Sequence, residues 1–419
     1  MSIFFGCVAD DFTGASDGAS FLVKAGLDTV LINGIPQGDL TGFHGQAAVI
    51  ALKSRTQERD GAVRDCLAAF QWLKEQGAEV LYFKYCSTFD STDDGNIGPV
   101  IDAVMEKMEI PYTVLCPSLP VNGRTVKDGR LYVNGVLLEK SHMKEHPLTP
   151  MRKSRLADLM KRQGAYDCVE TSIPVSHALW ERIQEKLRKD GHCYVVPDYE
   201  SDSQGEEIAK TFCGLRFFTG GSGLLEHLGA CYQGKYEKGG QPEKATGVGG
   251  RTLILAGSCS KMTLEQVETF KNSGGPGFFI DPQEMLDGGL TAAGIWETAS
   301  RQDSETVFIY SSAPPAEVAR AQALGKEKVS RRLEETMAQL VRCAMEDGIR
   351  KFVIAGGETS GAALQEIGYQ AYRIGNSIAP GVPVMIPLQN PKLRLVLKSG
   401  NFGQKDFFMR AVSALEKGG

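Results

Sequence analysis

Residues 3–17 read Ile3-Phe4-Phe5-Gly6-Cys7-Val8-Ala9-Asp10-Asp11-Phe12-Thr13-Gly14-Ala15-Ser16-Asp17. The apolar, β-rich run Ile3–Val8 ends on two adjacent carboxylates, and helical spacing then runs over Ala15–Ala25. A short apolar strand, a polar turn and a helix make one βα unit, and the unit recurs. Residues 47–52 precede a helical pattern over 62–76, and 79–84 precede one over 98–108. Strands follow at 112–116, 193–197 and 251–256. Strands of this length alternating with helices predict parallel α/β layers.

One stretch breaks the rhythm. Arg124–Ser141 contains Asp128-Gly129 and Asn134-Gly135, both hairpin turn signals, and predicts a small antiparallel insertion. Decoration, the rim of a site and a homodimer contact are all open uses for it. The tract Tyr232–Gly250 is polar, glycine-rich and without apolar periodicity, and a fresh strand starts at Arg251. The expected fold is therefore α/β in two domains, each a largely parallel sheet flanked by helices, with a β-hairpin insertion in the first. The boundaries expected are 1–235, a linker over 236–250, and 251–419.

Composition narrows the function classes. The 419 residues suit roughly two to three domains. The net charge is −5, with 26 basic and 32 acidic residues up to position 240 and 20 and 19 beyond it. Neither half carries the basic excess of a nucleic-acid binder. No stretch approaches the roughly 18 apolar residues of a membrane span. The N-terminus meets Asp10 and Asp11 too early for a secretory signal. The ten cysteines never fall as C-x-x-C, which argues against zinc and redox dithiol sites. They read as reduced thiols, mostly core residues, in a cytoplasmic protein. The six histidines form no ligand cluster, and His142 and His146 read as loop residues.

Chemistry-bearing residues gather where strands end. In open α/β sheets, ligands bind beyond the carboxyl ends of the strands. Asp10 and Asp11 follow the first strand, and either suits a substrate hydroxyl, an indirectly held Mg²⁺ or general-base work. Equally, Asp11 or Thr13 suits a helix cap. Lys53-Ser54-Arg55-Thr56 follows the next strand. Lys84-Tyr85-Cys86-Ser87-Thr88-Phe89-Asp90 follows the one after. A forked Arg55 and a point-charged Lys84 suit a carboxylate, and the three loops together suit a small, acidic, hydroxylated ligand. In the second half, Ala256–Ser260, Ala355–Gly361 and Lys398–Gly403 are glycine- and hydroxyl-bearing loops after strands. Three such loops favour a nucleotide phosphate site. Thr219–Gly223 is similar, but a tight turn explains it as well. Neither G-x-x-x-x-G-K-[ST] nor G-x-G-x-x-G occurs, which excludes a Walker loop and leaves a dehydrogenase unsupported.

These motifs carry a resemblance. Ala9–Asp17, A-D-D-F-T-G-A-S-D, and Gly356–Gly361, G-G-E-T-S-G, resemble the N-terminal and nucleotide-site signatures of the bacterial four-carbon acid sugar kinase family. The likeness runs over nearly the whole chain. Lys84–Thr92, Gly95–Val100 and His146–Met151 are similar to the 3-oxo-tetronate kinase branch. The resemblance implies an N-terminal domain for the acid sugar, a C-terminal domain for ATP, and transfer to the terminal C4 hydroxyl with Mg²⁺ bridging the phosphates. It implies nucleotide contacts at Ser258, Gly356, Gly357, Glu358, Thr359 and Gly403, to which loop chemistry adds Ser360 and Gly400. Substrate binding is expected from Asp10, Asp11, Arg55, Lys84, Ser87, Thr88 and Asp90, and the proton-accepting group from Asp11 or else Asp10. Domain closure would exclude water. Two other readings stand beside this one: a kinase for D-threonate or D-erythronate, and a non-catalytic acid-sugar sensor.

Overall fold

The computed structural model describes residues 3–36, 45–145, 149–233 and 247–417. The expected linker up to residue 246, His44 and His146–Leu148 lie outside the described residues. The chain divides into two compact units, Met1–Pro242 and Glu243–Gly419.

The first unit opens with β1 (Phe5–Ala9), α1 (Phe12–Lys24), β2 (Thr29–Asn33), β3 (Ala47–Ala51), α2 (Arg59–Glu75) and β4 (Val80–Lys84). It continues with α3 (Ile97–Lys107), β5 (Tyr112–Cys116), β6 (Arg124–Lys127), β7 (Arg130–Val133), β8 (Val136–Leu137) and α4 (Leu156–Gln163). It ends with β9 (Cys168–Thr171), α5 (His177–Asp190), β10 (Cys193–Pro197), α6 (Asp202–Phe212), β11 (Phe217–Gly220) and α7 (Gly223–Gln233). Its main sheet runs β2-β3-β1-β4-β11-β5-β10-β9, with every pairing parallel. All five residues of β1, of β3 and of β4 are buried. A strand covered on both faces by helices needs a continuous apolar run, which is why these segments do not alternate.

The second unit holds β12 (Thr252–Ala256), α8 (Lys261–Asn272), β13 (Gly277–Phe279), α9 (Pro282–Leu286), α10 (Ala292–Ser300), β14 (Thr306–Tyr310) and α11 (Pro315–Gln322). Then come α12 (Lys326–Glu346), β15 (Lys351–Ala355), α13 (Gly357–Ile367), β16 (Ala371–Ala379), β17 (Val382–Pro387), β18 (Arg394–Lys398) and α14 (Phe407–Lys417). The strand order is β13-β14-β12-β15-β18-β17-β16. Ile254, Val353 and Val396 from the central strands pack with Phe270, Phe308, Phe407 and Phe408. Phe270 meets Phe308 edge-on at 5.1 Å and Phe408 at 6.2 Å, geometries favourable to the ring quadrupoles.

The hairpin insertion is present as the antiparallel sheet β6-β7-β8. Asp128, Gly129, Asn134 and Gly135 all have positive φ, as type I′ turns require. Two features differ from the sequence reading: the start of α1 and the number of buried cysteines. Helix α1 starts at Phe12, because Asp11 caps it. Tyr232, the first residue of the polar tract, belongs to α7, is buried, and donates its hydroxyl to the Cys213 carbonyl. The sheet of the second unit is largely parallel, as expected, and adds the antiparallel strands β17 and β16. All ten cysteines are free, but only Cys7, Cys66, Cys116 and Cys193 are buried, while Cys259 is exposed. Among the described residues, no helix is long and apolar enough to cross a membrane.

Candidate functional site

In the first unit the chain crosses the sheet at β1. It goes from β1 to β2, returns through β3, and then crosses to β4 on the far side. That crossing is a topological switch point, where loops diverge and leave a crevice. The registers are level: Ala9 lies opposite Ala51 on one side and Lys84 on the other. Three successive strand ends therefore deliver Asp10–Asp11, Arg55 and Lys84 to one place. The Asp10 amide donates to the Lys84 carbonyl at 3.0 Å, and the Arg55 amide to the Asp10 carbonyl at 3.3 Å. Asn96 donates to the carbonyls of Ser54 and Gln57 at 2.7 and 2.8 Å, holding the Arg55 loop.

Arg55 lays its fork on Asp10. Nε reaches Oδ2 and Nη2 reaches Oδ1, both at 2.8 Å. Its Nη1 lies 2.7 Å from Asp11 Oδ2 and 3.9 Å from Asp90 Oδ2. The sequence reading offered this fork to a substrate carboxylate; the structure gives it to Asp10. Asp11 also caps α1, its Oδ1 accepting from the Gly14 amide. Burial works against the Asp11 charge. The guanidinium of Arg55 and the ammonium of Lys84 outweigh it and hold its carboxyl below the usual range.

Lys84 is 3% exposed. Its Nζ lies 3.7 Å from Asp17 Oδ2 and donates to the Tyr85 carbonyl at 3.4 Å. Burial disfavours the charge, yet Asp17, Asp11 and Asp10 together raise its pKa. The ammonium packs under the first turn of α1, where a Cβ on Gly14 would sit 2.8 Å from Nζ. Asp17 accepts from the Ser222 hydroxyl, while its Oδ1 makes no hydrogen bond. Burial raises the Asp17 pKa despite Lys84. The loop Thr219–Gly223 is thus part of this framework as well as a turn. Thr88 is buried, with its hydroxyl 2.9 Å from the Cys86 sulfur. Ser87 is half-buried in the same loop, and neither hydroxyl contacts the ion cluster.

The second unit repeats the design with different chemistry. Its chain crosses from β14 over β12 to β15, and Ala256, Ala355 and Lys398 lie level at the strand ends. The Gly257 and Ser258 amides both donate to the Ala355 carbonyl, at 2.9 and 3.2 Å, and the Gly356 amide donates to the Lys398 carbonyl at 3.0 Å. Gly356 has φ 133, open only to glycine, and α13 begins there with no side-chain cap. The first amides of that helix therefore have no side-chain cap. At Gly357 a Cβ would meet nothing within 4 Å, so packing does not demand glycine there. A Cβ on Gly400 would crowd the hydroxyls of Ser258 and Ser260. The loops bearing Ser258, Gly356–Thr359 and Gly400 thus converge. Glu358 is exposed, and the Ser360 hydroxyl is buried without a hydrogen bond. Gly403, at φ 79, lies in a loop held by Gln266, whose amide donates to the carbonyls of Phe402 and Gln404.

The sequence reading named Lys398 only as the first residue of the loop Lys398–Gly403 and gave it no role. It is fully buried, and its Nζ donates to Thr263 Oγ1 and to the Gly400 carbonyl, both at 2.9 Å. Both partners are neutral. Burial pushes this ammonium down to about 7. Among the described residues, no group of three His, Cys, Asp or Glu side chains is placed to hold a metal ion.

Comparison with known proteins agrees with this division. Residues 5–228 match the model of a sugar-binding N-terminal domain, and residues 253–408 that of a nucleotide-binding C-terminal domain. A protein of Actinobacillus succinogenes named 3-oxo-tetronate kinase is 42% identical over 417 residues, covering 97% of this chain and 98% of its own. One of the same name from Haemophilus influenzae is 41% identical over 411 residues, covering 96% and 98%. A crystal structure from Salmonella typhimurium LT2 superposes with a TM-score of 0.86 at 39% identity, covering 97% of this chain and 98% of that one. Another, from Haemophilus influenzae, gives 0.79 at 40% identity, covering 98% and 100%. With both domains matched in order and full-length relatives at this identity, the chain belongs to the four-carbon acid sugar kinase family.

Proposed function

We propose that this protein is an ATP-dependent kinase that phosphorylates the C4 hydroxyl of 3-oxo-tetronate. The observation that carries this reading is the full-length likeness to proteins named 3-oxo-tetronate kinase, on a chain whose two units each gather polar residues at a switch point. The acid sugar binds in the first unit, at Asp10, Asp11, Arg55, Lys84, Ser87, Thr88 and Asp90. The nucleotide binds in the second, at Ser258, Gly356–Ser360, Gly400 and Gly403. ATP as donor and ten free thiols suit a cytoplasmic setting.

Phosphoryl transfer asks for positioning and charge stabilisation more than for a strong base. Asp11 is the better proton acceptor of the two adjacent carboxylates. Its side chain is 35% exposed against 4% for Asp10, and Asp10 is fully engaged by the Arg55 fork. Arg55 and Lys84 keep Asp11 ionised and fixed, and the Gly14 amide orients it. In the second unit the uncapped amides of α13 and the hydroxyls of Ser258 and Thr359 cradle phosphate oxygens. The oxygen donors present suit Mg²⁺, which would be held largely by phosphates and water, with exposed Glu358 as the carboxylate on these loops that would help to hold it. When bound, the ion neutralises charge on the phosphates.

Product analysis tests the assignment. With 3-oxo-tetronate and Mg-ATP, the product phosphorus should couple to two methylene protons, as in a 4-phosphate. Coupling to a single proton would place the phosphate at C2 and contradict the reading.

A further inference from the structure

The ion cluster at the end of β1 is unbalanced. Asp10, Asp11, Asp17 and Asp90 stand against Arg55 and Lys84. Both cations are engaged: Arg55 with Asp10 and Asp11, and Lys84 in a buried place beside Asp17. An acid substrate arriving here meets excess negative charge and no available cation from these two residues. A carboxylate leaving water needs a partner of opposite charge.

A further cation stands at the start of the antiparallel insertion. Arg124 opens β6, and it exchanges two backbone hydrogen bonds with Leu119, at 2.8 and 3.1 Å. The chain over Pro117–Leu119 packs on the loop that holds Asp17. A Cβ on Gly223 would lie 3.1 Å from the Leu119 Cα, and one on Gly221 would crowd the Pro117 carbonyl and lie 3.4 Å from the Ser87 Cβ. Ser222, between those glycines, bonds Asp17, the partner of Lys84. Arg124 thus belongs to the same end of the sheet as the cluster. It is half-buried, and among the described residues its one side-chain hydrogen bond is donated by Nη1 to the Asn122 carbonyl. Among the described residues it has no carboxylate partner. Burial lowers its pKa, with only the Cys86 thiol acting the other way. Cys86 also acts on Arg55 and Lys84, so three cations neighbour one loop.

We propose that Arg124 binds the carboxylate of the acid substrate, presenting its free Nε and Nη2 as a fork. The inference rests on the kinase reading above and names the residue that makes the site selective for an acid. Arg55 and Lys84 then hold the aspartates in place and meet the hydroxyl-bearing part of the substrate, while Arg124 takes its carboxylate.

The test compares wild type, Arg124→Gln and Arg124→Lys on two acceptors: freshly prepared 3-oxo-tetronate and its uncharged C1 amide. Loss of a charge-assisted bond should raise KM for the acid about 10- to 100-fold in Arg124→Gln. The amide's kcat/KM should move less than about 3-fold, so the preference for acid over amide collapses, while KM for ATP holds. Arg124→Lys should recover part of the acid's KM but not all of it, since a point charge replaces a fork. Calorimetric binding of the acid is run in parallel. Binding by wild type without turnover would overturn the kinase reading, and the ratio of Kd values would still judge Arg124. An unchanged acid-over-amide preference in Arg124→Gln would overturn the proposal. So would equal loss of both acceptors, or no acid binding by wild type.

Discussion

Gly14→Ala separates the site's geometry from ordinary helix energetics, because Gly294 supplies a matched control. Both glycines are the third residue after a helix cap. The Gly14 amide donates to Asp11 Oδ1, and the Gly294 amide to Thr291 Oγ1 at 3.2 Å. Replacing glycine by alanine in a helix stabilises by about 0.5–1 kcal/mol. Gly294→Ala should show that gain, since its Cβ would meet only Thr291 Oγ1 at 3.4 Å. At Gly14 the new methyl would stand 2.8 Å from Lys84 Nζ and crowd Asp11 Oδ1. Such overpacking costs about 1–3 kcal/mol. The colliding atoms are side-chain ends and move more easily than backbone, so a net loss of about 0.5–2 kcal/mol is expected. Those same ends are the working atoms of the site, and a shift near 1 Å should lower kcat/KM about 10²-fold. Scanning calorimetry should show a fall of several degrees in the first unit's transition for Gly14→Ala, at about 2–4 °C per kcal/mol, and a small rise in the second unit's for Gly294→Ala. A Gly14→Ala protein that melts at or above wild type with unchanged kcat/KM would refute the packing of Lys84 under α1.

Three further outcomes are expected. Arg55→Ala leaves Asp10 buried without its partner and should destabilise the first unit by about 3–5 kcal/mol; adding Asp10→Ala should recover much of that loss, and strict additivity would contradict the pairing. Lys398, held down to about 7, costs stability in full below that pH, and the cost is relieved as pH rises toward the ordinary lysine value. Nucleotide phosphates would restore its proton, so ADP binding near pH 7.5 should take up protons, measured by calorimetry in buffers of different ionisation enthalpy, and Lys398→Met should abolish that uptake. Exposed Cys259, between Ser258 and Ser260, should be labelled by maleimide, and ADP should protect it; labelling at an unchanged rate with saturating ADP would displace the nucleotide from these loops.

The sequence exposed the strand ends and their order, because strands buried on both faces show as short apolar runs. Since parallel neighbours lie level, the loops carrying Asp10, Arg55 and Lys84 converge as read. It did not show partnerships that span the chain. Ser222 and Asp17 are 205 residues apart, and Ser222 reads locally as one residue of a turn. The fate of Arg55 was also hidden: nothing in Lys53–Thr56 says whether its fork faces a ligand or Asp10. Lys84 and Lys398 look alike in sequence, each closing a buried strand. Only the surroundings divide them, with carboxylates raising the one and burial lowering the other. A lysine ending an otherwise apolar strand was the available signal for Lys398. The strands Ala371–Ala379 and Val382–Pro387 add antiparallel pairings that the alternating βα pattern does not announce.

The most direct test of the account is coupled ADP release with Mg-ATP across 3-oxo-tetronate, D-threonate, D-erythronate and no acceptor. The account predicts robust turnover with the 3-oxo acid and little with the others, since a site donating to a C3 carbonyl does not equally suit a hydroxyl. Turnover with a 3-hydroxy acid instead would contradict the substrate assignment. Acid binding without any ADP release would contradict the kinase itself and favour a sensor.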